Sequence, residues 1–186
     1  MKKITQIIII SLLIFSNVSA EKRDDQLNSL FKQLKNSENA EAIEIENKIW
    51  KIWLTHPSDD RRGFRLTELL TQGSLLIKRR ELIKAHGIFS QIILEDPKWS
   101  EAWNKRATVL YMLGRYEKSQ NDINEVLKIE KRHFGALHGQ GLVQTKLKNY
   151  KIAIKSYEEA QKIYPSMHAP KVMIPRIKKL IKENSI

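Results

Sequence analysis

The sequence predicts an all-α fold, a superhelical stack of antiparallel helix hairpins closed by capping helices at both ends. Three observations predict it. A 34-residue period runs without gaps through residues 66–99, 100–133 and 134–167, and a period of that length marks a repeat architecture. Each unit holds two amphipathic runs of about 14 residues around a short turn. Amphipathic segments outside the period, at 24–57 and from 168 on, stand where caps belong.

The chain begins "MKKITQIIIISLLIFSNVSAEKRDD". Lys2 and Lys3 are followed by an apolar run from Ile7 to Phe15, then by the small residues of Val18-Ser19-Ala20 before charge resumes at Glu21. This is the order of a secretory signal peptide cleaved after Ala20, and it implies export, most simply to a bacterial periplasm. A retained membrane anchor is the weaker reading, because the 17 residues from Ile4 to Ala20 are interrupted by polar side chains and a spanning helix takes about 20 apolar ones.

From 21 to 65 the sequence reads as N-terminal capping helices. Leu27, Leu30, Phe31 and Leu34 fall at i, i+3, i+4 and i+7, with Asp24 or Asp25 as the expected N-cap. Ala42, Ile45, Ile49, Ile52 and Trp53 line a second helix that ends before Pro57. Together they form a degenerate first hairpin over 24–57. Residues 58–65 are then an insertion or a helix extension, with Asp59-Asp60 and Arg61-Arg62 expected to pair with each other.

The three units agree column by column. The eighth position holds Gly73, Ala107 and Gly141, and the twentieth Ala85, Ser119 and Ala153: small residues where two helices approach. The twenty-fourth holds Phe89, Ile123 and Tyr157, large groups that fill the space. Leu69, Trp103 and Leu137 share the fourth position, and Ile92, Val126 and Ala160 the twenty-seventh. In the middle unit, Gly114 lies between the two runs and can take the positive φ that closes a helix. Pro97 and Pro165 stand just past the second helix of their units. One such hairpin cannot bury its own apolar face, so the units stack. From His168 on, Val172, Ile174, Ile177, Leu180 and Ile181 give a C-terminal capping helix a buried side, with Pro175 as a kink or as its true start.

These columns resemble the tetratricopeptide repeat (TPR) family, whose 34-residue pattern runs W-x2-L-G-x2-Y, A-x3-F and P. The resemblance covers 102 residues. It departs at the seventh column, where Gln72, Arg106 and Gln140 replace an expected Leu, and at the eleventh, where Leu76, Leu110 and Gln144 stand. The resemblance implies a protein-binding scaffold whose first helices line an inner groove. Carried over position by position, the groove residues are Thr67, Leu70, Ser74, Ile77 and Lys78, then Glu101, Asn104, Thr108, Tyr111 and Met112, then His138, Leu142, Thr145 and Lys146. Asn104, Lys105 and Lys146 echo the carboxylate-gripping set of some members, with Thr108 where those carry Asn.

Composition restricts the alternatives. The chain has no cysteine, so a disulfide framework, a thiolate metal site and a cysteine nucleophile are excluded. None of the five histidines forms an i, i+4 pair with a Glu, no metal or other cofactor is expected, and no phosphate loop or nucleophile elbow is present. An enzyme is therefore not expected. Net charge is +12, and +10 once the two lysines of residues 1–20, which include no acid, are removed. The lysines are scattered over every helix, and with export this makes nucleic acid an unsuitable partner. Three functions remain: a scaffold binding a peptide or partner protein on the inner face, a basic envelope module touching anionic lipid or cell-wall polymer, and a self-associating accessory subunit of an envelope complex.

Overall fold

The computed structural model describes residues 21–183, and the expected signal peptide lies outside them. The described residues form a run of helices: α1 over 21–36, α2 (Asn39–Leu54), α3 (Arg61–Lys78), α4 (Leu82–Glu95), α5 (Ser100–Met112), α6 (Tyr116–Ile129), α7 (Phe134–Lys146), α8 (Tyr150–Ile163) and α9 (His168–Glu183). No strand occurs among them, and none of these helices is long and apolar enough to cross a membrane. Pairs α3/α4, α5/α6 and α7/α8 are hairpins, and each hairpin packs on the next, ending with α8 against α9.

The small columns earn their places by contact. A Cβ on Gly73 would lie 2.6 Å from the Phe89 ring, and one on Gly141 2.5 Å from the Tyr157 ring. Ala107 and Ile123 meet in the same core cluster of the middle unit. Ser119, in the small column of the second helix, donates its hydroxyl to the Ala107 carbonyl at 2.8 Å. The polar seventh column is also explained. Arg106 forms two parallel hydrogen bonds to the Asp122 carboxylate, at 2.7 and 2.8 Å, and lies over the Trp103 ring at 4.9 Å. One unit later, the Ser156 hydroxyl donates to Gln140 at 2.9 Å. Both links join residues 16 apart, so a polar bridge replaces an apolar contact at the same place in two units.

All three turns inside the hairpins are built alike. Arg80, Gly114 and Lys148, each 34 residues from the next, have φ of 63°, 72° and 62°. The following amides, of Glu81, Arg115 and Asn149, donate back to the carbonyls of Leu76, Leu110 and Gln144 at 2.8–2.9 Å, which satisfies carbonyls the helix ends would otherwise leave unpaired.

Several local expectations are decided by the structure. Asp24 and Asp25 lie inside α1 and cap nothing. Of the two readings of residues 58–65, the helix extension holds for 61–65, which open α3; its N-cap Asp60 accepts the Gly63 amide at 2.7 Å. Arg62 reaches the Glu95 carbonyl on α4 instead of pairing with Asp59 or Asp60, and Arg65 pairs with the Glu95 carboxylate. Pro175 is not the start of the last helix, since α9 begins at His168 and runs on both sides of it.

Helix α9 occupies the register of the first helix of a further unit. Ile177 is 34 residues beyond Val143 and as fully buried, like Val109 before it. Leu75, in the same column of the first unit, is 46% exposed because no hairpin stacks in front of α3. The α1–α2 hairpin is not in that place. Its position there would bury Glu68, which occupies the column where Ala102, Ala136 and Pro170 are buried. A carboxylate left unpaired under a stacked hairpin is costly. The hairpin instead lies across the inner side of the stack, and its core of Leu27, Leu30, Phe31, Leu34, Ala42, Ile45, Ile49 and Trp53 closes on Phe134 of α7 and Tyr164 beyond α8.

Candidate functional site

The inner face is lined by α3, α5 and α7, and α2 crosses their N-terminal ends. At one end of α2, the His56 amide donates to Thr67 Oγ1 at 2.9 Å, and the Trp99 indole N–H donates to the Trp53 carbonyl at 2.9 Å. His56 Nε2 is 2.8 Å from Asp96, and the resulting hydrogen bond holds the Asp96 carboxyl below its usual range. In the middle, the Trp53 ring stacks on the His133 imidazole at 3.9 Å, with planes 7° apart. The Trp50 ring packs edge-on against Phe134 and so close to Gly135 that a Cβ there would lie 2.5 Å away. At the other end, the Tyr164 hydroxyl donates to Glu46 at 3.1 Å and Ser166 to the Ser37 carbonyl at 3.3 Å. Burial, with the Glu46 carboxylate, pushes the Tyr164 hydroxyl up to about 12.

Beneath α2 lies a closed polar cluster. Glu101 and His133 have fully buried side chains and meet at 3.0 Å. His133 Nδ1 accepts the Ala136 amide at 3.1 Å, so Nε2 carries the proton and donates to Glu101. Asn104 donates its amide to both Glu101 oxygens, and Lys105 reaches the same carboxylate at 3.2 Å. Burial alone would raise the Glu101 carboxyl, but the His133 hydrogen bond and the Lys105 charge outweigh it and hold the group below the usual carboxylate range. Every acceptor position of this carboxylate is spent on its own chain.

These contacts correct part of the expected groove. Leu70 is 1% exposed and Glu101 fully buried. Thr67 is tied to His56, and Asn104 is buried with its amide committed to Glu101. With Asn104 and Lys105 both engaged, a carboxylate clamp built on them and Lys146 is not available. The remaining positions form an open lane along the other half of the inner face: Ser74, Ile77, Tyr111, Met112, Leu142 and Thr145 are half-buried, and Lys78, Thr108 and Lys146 are exposed. His138 is half-buried with its ring edge toward Tyr157, and burial lowers its pKa. The register adds Arg176 of α9, 34 residues beyond Leu142 and exposed. No acidic residue stands at the ninth, twelfth or thirteenth column of any unit.

Between α5, α6 and α7 the lane opens into a cavity of about 70 Å³ lined by Ala107, Thr108, Tyr111, Ile123, Gly139 and Leu142, among others. Two glycines one helical turn apart on α7 were missed as groove residues: Gly135, which shares the second column with Thr67 and Glu101, and Gly139, which lies outside the groove columns. Their spacing in "FGALHGQG" was the available signal. Among the described residues there is no cluster of three potential metal ligands.

The tetratricopeptide repeat model matches residues 100–133 and 134–167. A TPR repeat-containing protein of Rhizobium etli is 32% identical over 157 residues, covering 81% of this chain and 74% of its own. The chain belongs to the tetratricopeptide repeat family. Solved TPR structures share the fold. The Sgt2 TPR domain from Aspergillus fumigatus has a TM-score of 0.62 at 22% identity over 65% of this chain and 82% of its own. The Arabidopsis OM64 TPR domain gives 0.60 at 20%, covering 62% and 95%. The first TPR of Spaghetti (RPAP3), solved bound to the HSP90 peptide SRMEEVD, gives 0.61 at 17%, covering 63% and 93%.

Proposed function

We propose that this TPR protein is an exported scaffold that binds one extended segment of a partner protein in the open lane of its inner face, without catalysis. The observation that carries the reading is the division of that face. One half is closed by the chain's own α1–α2 hairpin, and the other presents Thr108, Tyr111, Met112, Leu142 and Thr145 beside Lys78, Lys146 and Arg176. The lane is held by helices packed on both sides, so little entropy is lost on docking. Its charge selects an acidic segment. A neighbour of the same fold, the first TPR of Spaghetti, was solved with a peptide bound, which supports a peptide-binding reading.

The test is affinity capture from envelope extract with the chain from Glu21 on, beside a Tyr111→Ala, Lys146→Glu double variant of confirmed helical content. A partner retained by the native chain and lost by the variant supports the lane. Equal capture by both overturns it.

A further inference from the structure

Resting on that reading, we infer that the lane recognises an acidic segment through one aliphatic side chain, of valine to isoleucine size, inserted into the cavity over Gly139. The most buried residues lining this cavity are Ala107, Ile123 and Val143, with Ser119, whose hydroxyl is spent on the Ala107 carbonyl. Its mouth is framed by Tyr111, Thr108 and Leu142, and Asn104 adds a polar edge. A water molecule occupies about 30 Å³ of liquid, so about 70 Å³ holds two or three carbon-sized groups and rejects an aromatic ring. The space exists because α7 carries no side chain at 139. A Cβ built there would touch Ile123 Cδ1 at 3.5 Å, an ordinary contact, and would project into the cavity without clashing. The equivalent position of the middle unit is Lys105 and that of the first unit is Thr71, so neither α5 nor α3 offers the same opening.

Charge names the rest of the occupant. Lys146 lies one turn beyond Leu142 on the same helix, with Arg176 on the neighbouring α9 and Lys78 farther along the lane on α3. None of the three is joined to a carboxylate among the described residues. The single acid of the inner columns, Glu101, is sealed under α2. A basic segment would meet unpaired cations, and a second copy of this face would set lysine against lysine, so the complementary occupant is an acidic peptide.

The probes are fluorescein-labelled twelve-residue peptides of Asp, Glu and Ser that differ at one central position, Ile, Gly or Trp. They are titrated by fluorescence polarisation against the purified protein and two variants. Gly139→Ala narrows the cavity while improving helix propensity, so it keeps the fold. Lys146→Glu reverses a lane charge without touching the cavity. The Ile peptide is expected to bind about 15- to 60-fold tighter than the Gly peptide, from two or three buried carbons, and the Trp peptide no better than Gly. Gly139→Ala should weaken the Ile peptide about 10-fold and leave the Gly peptide unchanged. Lys146→Glu should weaken all three. Equal binding of Ile and Gly peptides overturns the cavity assignment. If Lys146→Glu still weakens both, the lane itself stands. Failure of every acidic probe to bind, or weakening that ignores Lys146→Glu, overturns the acidic-segment assignment as well.

Discussion

Arg106→Leu restores the residue that the family pattern favours at the seventh column, yet it should destabilise this protein. Asp122 is 6% exposed and Arg106 19% exposed at their side chains, and the two share a bidentate pair. Removing the guanidinium strands a buried carboxylate, a change that costs about 3–5 kcal/mol in a closed site. Water reaches the Arg106 side, so about 2–4 kcal/mol is the expected loss. In a chain of this size each kcal/mol moves the melting temperature by about 2–4 °C, which predicts a fall of about 4–16 °C. Asp122→Ile introduces the residue found at this column in the first unit, where Ile88 stands opposite Gln72. The double variant should lie within about 1 kcal/mol of the native protein, because an apolar pair of similar volume replaces a buried ion pair at little cost. The assay is a double-mutant cycle by urea unfolding followed by circular dichroism. A coupling of about 2 kcal/mol or more is expected. Arg106→Leu costing under 0.5 kcal/mol, or costs that simply add, would refute the reasoning.

Other consequences follow from the same geometry. Lys148→Gly and Arg80→Gly should each raise stability by about 0.5–1 kcal/mol in thermal melts, since both residues sit at positive φ, where a Cβ is strained. Gly141→Ala should cost about 1–3 kcal/mol by forcing the Tyr157 ring aside, whereas Gly139→Ala should be neutral or stabilising. Glu101 and Asp96 both have depressed carboxyl pKa values in the fold, so their contribution is present above the ordinary carboxyl range near about 4 and is lost as pH falls through the lower folded values. Melting temperature should therefore drop below about pH 4, and Glu101→Gln should flatten that drop.

The stack was legible because its packing is local in register: Gly73 against Phe89 and Gly141 against Tyr157 repeat one contact, and repetition survives in sequence. Two of three turns were hidden, since Arg80 and Lys148 accept a strained backbone that only Gly114 advertises. The polar seventh column read as an oddity because its meaning lies 16 residues away, in Asp122 and Ser156. The placement of α1–α2 was beyond reach. Its apolar stripe says that it must be covered, and a stripe does not say by what; Phe134 and Tyr164, far along the chain, supply the answer. That placement also seals Glu101 and Asn104 under α2, whereas Leu70 leaves the accessible groove by packing into the α3–α5 core.

The most direct test is an amide chemical-shift map of the purified protein titrated with the acidic peptide carrying a central Ile. Binding in the lane predicts shifts concentrated at Thr108, Tyr111, Met112, Gly139, Leu142 and Thr145, with the amides of α2 and of the buried Glu101 and His133 unmoved. Shifts running along α4, α6 and α8, or a collective change throughout α1 and α2, would contradict it.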